Sequence, residues 1–303
     1  MSGVDAAQVR GDVPETEYVL SDGIFRPRVP VQHQEDAYDS RGVVLLRQMQ
    51  SRHFWYLGRR RFLWNALQRH LGRVPARSPG PRAIDLGGGA GGWVSFLAGQ
   101  GRPAFGELAL ADSSLHALET ASTLLPASVS RYQVDLQRLG WRDRWDLVFL
   151  LDVLEHIPDD RAALRQVLRA VAPGGLVFIT TPAFQRFWSW NDAVVGHQRR
   201  YTREDLERLG HELGFRVLDT RYFMFLLSPL FVLGRLMGQP DLSKLSRDEV
   251  WALVERSHRV PSPPVNALLR AVFSLETPLG HHVSFPWGTS VLAVLQKPEG
   301  SSP

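Results

Sequence analysis

Residues 84–92 read Ile-Asp-Leu-Gly-Gly-Gly-Ala-Gly-Gly, a glycine-rich loop that follows a short apolar segment and precedes another. Glycine permits positive φ angles and lets a ligand lie against bare backbone. If a helix follows the loop, its N-terminus presents free N–H groups to an acceptor such as a carboxylate or a phosphate. A strand, a glycine loop and a helix in this order predict the ligand-binding corner of a parallel α/β sheet.

Short apolar strands and helices alternate after this loop, as is typical of βαβ units. The predicted strands are residues 83–86, 108–111, 132–134, 147–151, 176–180, 215–219 and 290–295. The predicted helices are residues 43–71, 92–98, 115–124 and 161–171, and one that begins at Thr202 with a capping box to Asp205. The expected fold is therefore α/β: a Rossmann-like, seven-stranded, mostly parallel sheet with helices on both faces.

The chain divides into four expected segments. Residues 1–40 lack periodicity and predict an irregular leader, and residues 41–221 form the core with its N-terminal helix. Residues 222–286 are expected to form a helical cap over the substrate, and residues 287–303 the last strand of the core and a tail. The cap is inferred because about 70 residues separate the last two strands, where a tight turn would be enough.

Composition sets further bounds on the protein. The 303 residues are 44% hydrophobic and 22% charged, which is ordinary for a globular protein. The absence of cysteine excludes disulfides, thiolate metal sites and cysteine nucleophiles. The most apolar run, residues 222–234, is shorter than the roughly 20 residues that span a bilayer. The first ten residues lack the apolar segment of a signal peptide, so we expect a cytoplasmic protein.

Three aspartates end successive predicted strands, at the sheet edge where ligands bind in open α/β folds. Asp112 can accept both hydroxyls of a ribose, and Asp135 can accept from an adenine amino group with Leu136 against the ring. Asp85 lies beneath the glycine loop, where its negative charge opposes a dinucleotide pyrophosphate but attracts an ammonium or a sulfonium. Charge therefore favours S-adenosylmethionine over a nicotinamide dinucleotide.

The order of these motifs resembles class I S-adenosylmethionine-dependent methyltransferases. The resemblance rests on residues 85–91, 110–112, 134–136, 145–158 and 173–179, covers roughly residues 82–220, and finds its expected last strand in residues 288–294. It implies a donor site for S-adenosyl-L-methionine formed by Asp85, Gly87, Gly88, Gly89, Asp112, Ser113, Asp135, Leu136, Leu151 and Asp152. Residues 53–56, followed by Arg59, look like the helix that precedes the core in bacterial members. Trp55, Tyr56 and Arg59 are then expected to close over the amino-acid end of the donor.

Two histidines are candidate catalytic residues. His197 lies in the loop after the fifth predicted strand and is suited to accept a proton near neutral pH, although a loop histidine can equally bond the backbone. His156 ends a run, residues 152–156, that resembles the metal-ligand run of ubiquinone-pathway O-methyltransferases and small-RNA 2′-O-methyltransferases. Many metal-free class I enzymes resemble the same run, so no metal is predicted.

These features predict a methyltransferase that acts on an oxygen, nitrogen or carbon of a small molecule, such as a secondary metabolite or an envelope sugar or lipid intermediate. An RNA or protein methyltransferase is the alternative. It requires the arginines at 52, 59–61 and at 199, 200 and 203 to form one face beside the donor. A nicotinamide-dependent dehydrogenase is less favoured. A peripheral membrane enzyme could dock residues 223–236 on lipid or on a lipid-linked substrate, but the spacing of the apolar side chains there favours a buried helix.

Overall fold

The computed structural model describes residues 16–31, 40–236 and 239–300. The strands are β1 (Tyr18–Ser21), β2 (Ile24–Pro27), β3 (Arg82–Leu86), β4 (Glu107–Asp112), β5 (Ser130–Gln133), β6 (Trp145–Leu151), β7 (Val171–Pro182), β8 (Arg216–Phe223) and β9 (Ser290–Gln296). The helices are α1 (Ser40–Arg52), α2 (Phe54–His70), α3 (Gly92–Ala98), α4 (Leu115–Ser122), α5 (Asp160–Ala170), α6 (Trp190–Val194), α7 (Arg203–Glu212), α8 (Ser228–Leu236), α9 (Arg247–Ser257) and α10 (Pro263–His282).

The nine strands form one sheet in the order β1-β2-β5-β4-β3-β6-β7-β9-β8. The central strands β5, β4, β3, β6 and β7 are parallel, and β9 is antiparallel to both β7 and β8. The chain passes from β3 to β4 on one side and returns to β6 on the other. The glycine loop after β3 therefore opens into the crevice where ligands bind in such sheets.

Helices cover both faces of the sheet, as the α/β fold predicts. On one face, α5 and α7 contribute Leu164, Val167, Leu206 and Leu209 to a buried cluster. On the other, α2, α3, α4 and α10 contribute a second cluster that includes Phe62, Val94 and Phe273. Both faces of the parallel strands are thereby removed from water, which explains why β6 consists of buried residues throughout.

The seven predicted strands are all present, but the predicted irregular leader is wrong for residues 18–27. These residues form a β1–β2 hairpin that extends the sheet, pairing Phe25 with Tyr132 of β5. Asp22 and Gly23 both have positive φ angles, 53° and 74°, which match the twist of a two-residue hairpin turn. The Asp-Gly pair was the available signal. Residues 1–15 and 32–39 of the predicted leader lie outside the described residues.

One predicted helix and one predicted strand also have other boundaries than expected. The predicted helix over residues 43–71 is two helices, because His53 has an extended backbone and its Nδ1 accepts from the N–H of Trp55 at the start of α2. The strand predicted at residues 176–180 begins earlier, at Val171, directly after α5. The predicted capping box of α7 is confirmed, since Thr202 and Asp205 each accept from the other's backbone N–H.

The insertion between β8 and β9 contains α8, α9 and α10. Helix α10 packs along α2, where Gly58 lies directly beneath the ring of Phe273. The segment that runs from the end of β8 into α8 is buried only in part. Tyr222 and Phe223 are in the core, but Leu226, Leu230 and Leu233 are exposed. The prediction of a fully buried helix is therefore wrong for one face of α8. Among the described residues, no helix combines the length and hydropathy needed to cross a membrane.

Candidate functional site

A cavity of about 690 Å³ opens at the carboxyl ends of β3, β4 and β6. Every residue predicted for the donor site or for catalysis lines it. They are Trp55, Tyr56, Arg59, Asp85, Gly87, Gly88, Gly89, Asp112, Ser113, Asp135, Leu136, Leu151, Asp152, His156 and His197. The sheet thus brings together residues that lie as far as 142 positions apart in the sequence. The volume of the cavity is in the range of small-molecule sites.

The glycine loop and Asp85 form the floor of the cavity. Gly87 and Gly89 have φ angles of 75° and 56°, which bare backbone tolerates and a side chain resists. The carboxylate of Asp85 is 2% exposed, and its Oδ1 has no hydrogen-bond partner among the described residues. Burial raises the pKa of Asp85 to about 7, although the charge of Arg59 lowers it. This orphaned carboxylate fits the ammonium group of a methionine moiety, which supplies both a donor and a positive charge.

Asp112 has a structural role that sequence reasoning missed. Its Oδ2 accepts from the N–H of Gly89 at 2.9 Å, and its Oδ1 accepts from the N–H of Ser114 at 2.9 Å. The carboxylate therefore fixes the glycine loop to the end of β4. A carboxylate oxygen can accept two hydrogen bonds, which is the property that a ribose hydroxyl requires of its partner. Asp135 is arranged similarly, with one oxygen accepting from the N–H of Gln137 at 2.9 Å.

The guanidinium of Arg59 donates to the carboxylate of Asp152, which follows β6 in the wall of the cavity. Asp152 has a φ of 59°, an unusual angle for a residue with a side chain, and it aims its carboxylate at α2. The guanidinium carbon lies 4.7 Å from the ring centre of Trp55 and 5.1 Å from that of Tyr56. Arg59 is only 8% exposed, so this ion pair is largely removed from water.

Asp192, which sequence reasoning did not single out, holds His197 in place. Its Oδ1 lies 2.8 Å from Nδ1 of His197, and Arg200 donates to both carboxylate oxygens at 2.8 and 2.9 Å. Burial alone would raise the pKa of Asp192, but the hydrogen bond from His197 and the charge of Arg200 hold it well below its usual range. An ionised carboxylate only accepts, so Nδ1 of His197 is the donor in this pair. The other ring nitrogen, Nε2, lies 3.9 Å from Oε1 of Glu155.

The signal for Asp192 was present in the chain. Ser189 and Asp192 have the spacing of a capping box, and the box forms at α6 with Ser189 donating to the carboxylate. The turn places Asp192 five residues before His197, and the backbone N–H of His197 donates to the carbonyl of Asp192 at 2.9 Å.

Glu155, His156 and His197 form a second cluster in the cavity. Glu155 is fully buried, and burial raises its pKa to about 8. Neither carboxyl oxygen has a side-chain hydrogen-bond partner among the described residues, although Oε1 lies 3.9 Å from Nε2 of His197. The rings of His156 and His197 meet edge to face at 4.6 Å, and burial lowers the pKa of His156 to about 4. The three residues offer ligand atoms within 4.8 Å of one another. One carboxyl group and two imidazole rings are side chains of the types that bind zinc and similar divalent ions.

This cluster differs from the one that the run at residues 152–156 would suggest. Asp152 is engaged by Arg59, and His197 takes its place beside Glu155 and His156. Sequence spacing could not show this exchange, because His197 comes from a loop 41 residues after His156 in the chain.

The cap and the first helices supply the remaining wall. Met224, Phe231, Ser257 and His258 from the insertion line the cavity, and so does His53 at the start of α2. Burial and the neighbouring His258 lower the pKa of His53 to about 4. The predicted cap therefore reaches the site.

The two arginine clusters do not form a shared face beside the donor site. Arg59 is bound to Asp152, and Arg200 is 9% exposed and bound to Asp192. Arg199 pairs with Asp160 at 2.9 Å. The condition set by the RNA alternative is not met for these residues.

Comparison with known proteins assigns the chain to a family. Residues 56–220 match the profile described as a methyltransferase domain. The chain is 33% identical over 108 residues to the ubiquinone biosynthesis O-methyltransferase of Pseudomonas fluorescens (strain SBW25), and 32% identical over 106 residues to that of Pseudomonas aeruginosa (strain LESB58). Each match covers 34% of this chain and 44% of the relative.

Solved structures of similar fold include a chain of the complex between the Haloferax volcanii Trm112 methyltransferase activator and a methyltransferase. It has a TM-score of 0.55 at 16% identity and covers 88% of this chain and 100% of its own. Another is Haemonchus contortus phosphoethanolamine N-methyltransferase 2 with phosphomonomethylethanolamine and S-adenosylhomocysteine, with a TM-score of 0.52 at 18% identity. This match covers 90% of the chain and 62% of the other.

Proposed function

Since the chain belongs to the class I S-adenosylmethionine-dependent methyltransferases, we propose that it methylates a hydroxyl oxygen of a small molecule, with His197 as the base. Membership of this family excludes the dehydrogenase alternative, because its members are methyltransferases that use S-adenosyl-L-methionine. The observation that carries the proposal is the Asp192–His197 pair, which opens into the same cavity as the donor loop. The relatives named as O-methyltransferases support an oxygen acceptor.

Donor binding is assigned to the residues of the glycine side of the cavity. Asp85 would accept from the ammonium of the methionine moiety, Asp112 from the ribose hydroxyls, and Asp135 from the adenine amino group. Bound S-adenosylmethionine supplies an electrophilic methyl group on a positively charged sulfur. The buried Arg59–Asp152 pair would close the amino-acid end of this pocket and keep water from it.

His197 performs the proton transfer in this proposal. Its Nδ1 donates to Asp192, so Nε2 would take the proton from the acceptor hydroxyl. As that oxygen bonds to the methyl carbon, the bond between this carbon and sulfur breaks, and S-adenosylhomocysteine leaves. The resulting imidazolium is stabilised by the Asp192 carboxylate. His156 packs its edge against the His197 ring, which limits the orientations of that ring. Positioning the two reactants is the larger part of the catalytic effect in a transfer of this kind.

A second mode of activation is favoured by the buried carboxyl group of Glu155, whose oxygens have no hydrogen-bond partner among the described residues. A divalent ion held by Glu155, His156 and His197 would polarise the acceptor hydroxyl and lower its pKa. In that mode His197 is a ligand rather than a base. His156→Ala separates the two modes, because it removes a ligand in the second and only a neighbouring ring in the first.

The proposal is tested by incubating the purified protein with S-adenosylmethionine and a panel of paired acceptors. Each pair is a phenol or alcohol and its amine analogue, and mass spectrometry follows the gain of one methylene and its position. We expect products only from the hydroxyl compounds, and loss of product in His197→Ala. Methylation of the amines alone, or full activity of His197→Ala, contradicts oxygen methylation by a histidine base.

A further inference from the structure

Two rows of exposed apolar side chains lie on α8 and α10. They share exposures between 44% and 68%, whereas most of the described leucines and valines are buried or half-buried. The rows consist of Leu226, Leu230 and Leu233 on one side and Val265, Leu268, Leu275 and Leu279 on the other. Leu226 lies two residues before α8, and Leu230 and Leu233 share one face of that helix. The four members on α10 are spaced by three, seven and four residues, which places them on one face of α10. Apolar patches of this extent mark interaction surfaces.

A buried carboxylate ties the two helices together. Glu276 of α10 accepts from the backbone N–H groups of Phe225 at 3.0 Å and Leu226 at 2.9 Å. Glu276 lies between Leu275 and Leu279 on α10. Its two hydrogen bonds therefore fix the segment before α8 to the turn of α10 that carries these leucines. Trp287 extends the surface: it is 41% exposed, and its indole N–H donates to Ser228 at the start of α8. We call the two leucine rows with Trp287 the apolar face.

Arginines border the apolar face, and helices α2, α8 and α10 carry no exposed acidic side chain. Helices α2, α8 and α10 contain one acidic residue between them, Glu276, and it is fully buried. Exposed Arg61 and Arg69 of α2 donate to Ser274 and to the carbonyl of His281 on α10. Arg270 is exposed on α10 itself. The adjacent groove between α9 and α10 contains Glu255, but also Arg52, Arg259 and Arg270.

We propose that the apolar face docks on an anionic phospholipid surface, with its leucines and Trp287 in the interface and the arginines on lipid phosphates. This arrangement of apolar side chains, a partly exposed tryptophan and basic residues is the one that holds a protein at the plane of a membrane. A second copy of the chain fits less well. A two-fold contact would place each arginine rim against its own image, which is repulsive.

Docking is separate from methyl transfer, so its test does not depend on the acceptor. The full chain is sedimented with vesicles of phosphatidylcholine alone and of phosphatidylcholine with phosphatidylglycerol, at low and high salt. Wild type is expected to pellet with the anionic vesicles and to be released as salt rises. Leu230→Glu with Leu275→Glu is expected to lower the bound fraction roughly fivefold or more. Leu20→Glu on β1, a leucine of 59% exposure, is the matched control and should bind as wild type does.

Light scattering after gel filtration and circular dichroism accompany the sedimentation. Normal spectra for both variants exclude misfolding as the cause of lost binding. Failure of wild type to pellet with anionic vesicles overturns the proposal, and so does equal binding of the Leu230→Glu, Leu275→Glu variant. A dimer that the same variant dissociates, without vesicle binding, assigns the face to a second copy.

Discussion

Arg59 of α2 and Asp152 of the loop after β6 form an ion pair across 93 residues of sequence and join two walls of the cavity. The same guanidinium lowers the pKa of Asp85 and of Glu155, which burial raises. Arg59 therefore favours the ionised form of both carboxyl groups. The Arg59 guanidinium also lies against the aromatic rings of Trp55 and Tyr56.

Replacement of Arg59 by alanine is expected to weaken S-adenosylhomocysteine binding by roughly tenfold or more, because a buried carboxylate is left unpaired and Asp85 becomes harder to ionise. Titration calorimetry at pH 7 measures the change. Arg59→Lys keeps the charge but loses the planar fork, and should give an intermediate affinity. Unchanged affinity in Arg59→Ala would remove Arg59 from the donor site.

Binding of S-adenosylhomocysteine is expected to strengthen by roughly tenfold between pH 6 and pH 8. The pKa of Asp85 is raised to about 7, so the carboxylate is mostly neutral at the lower pH and mostly charged at the higher. The ligand ammonium is positive throughout, and it favours the charged form. Asp85→Asn serves as the control, with weak binding and no such rise. Equal affinity of the wild type at both values contradicts this role for Asp85.

Asp192→Asn is expected to lower kcat by roughly a hundredfold while KM for S-adenosylmethionine stays near the wild-type value. The loss follows because an amide no longer fixes the tautomer of His197 or stabilises its charged form. Asp160→Asn is a matched control, since Asp160 also pairs with an arginine, Arg199, but lies outside the cavity. A rise in KM with kcat intact would make Asp192 a binding residue instead.

Chelation distinguishes the two modes of hydroxyl activation. With His197 as base, activity after treatment with a chelator should remain within roughly threefold of the untreated enzyme, and His156→Ala should behave likewise. With an ion at Glu155, both treatments abolish activity and added Zn²⁺ or Mg²⁺ restores the chelated enzyme. In that case Zn²⁺ also raises the Tm of wild type and not of Glu155→Gln.

Gly58→Ala is expected to destabilise the protein by about 1–3 kcal/mol, although alanine favours helices over glycine. A Cβ at this position would lie 2.0 Å from the ring of Phe273, so α2 and α10 must separate to admit it. Thermal unfolding measures the loss. Gly72→Ala, where a Cβ has nothing within 4 Å, is the control and should leave Tm nearly unchanged.

The sequence predicted the sheet, and it placed the expected donor residues at one edge of that sheet, because both follow local rules. Asp85, Asp112 and Asp135 end strands, and parallel strands bring their carboxyl ends to one edge. The pairing of Asp192 with His197 and the replacement of Asp152 by His197 beside Glu155 were not predicted. Both depend on how loops fold back over the edge, which no periodicity records. The β1–β2 hairpin was missed although Asp22-Gly23 is a hairpin turn, because the flanking residues do not alternate clearly.

The cap leaves the sheet at Phe223 and returns at Ser290, and these two residues are direct register partners in β8 and β9. Gly288 approaches so closely that a Cβ there would lie 2.2 Å from the carbonyl oxygen of Phe223. The whole insertion therefore departs and ends at one point, as the tip of a hairpin would. Closing a longer or shorter segment at such a point changes the loop entropy only slowly. The length of this insertion can therefore change at little entropic cost to the core, provided that a replacement still packs against α2 as α10 does.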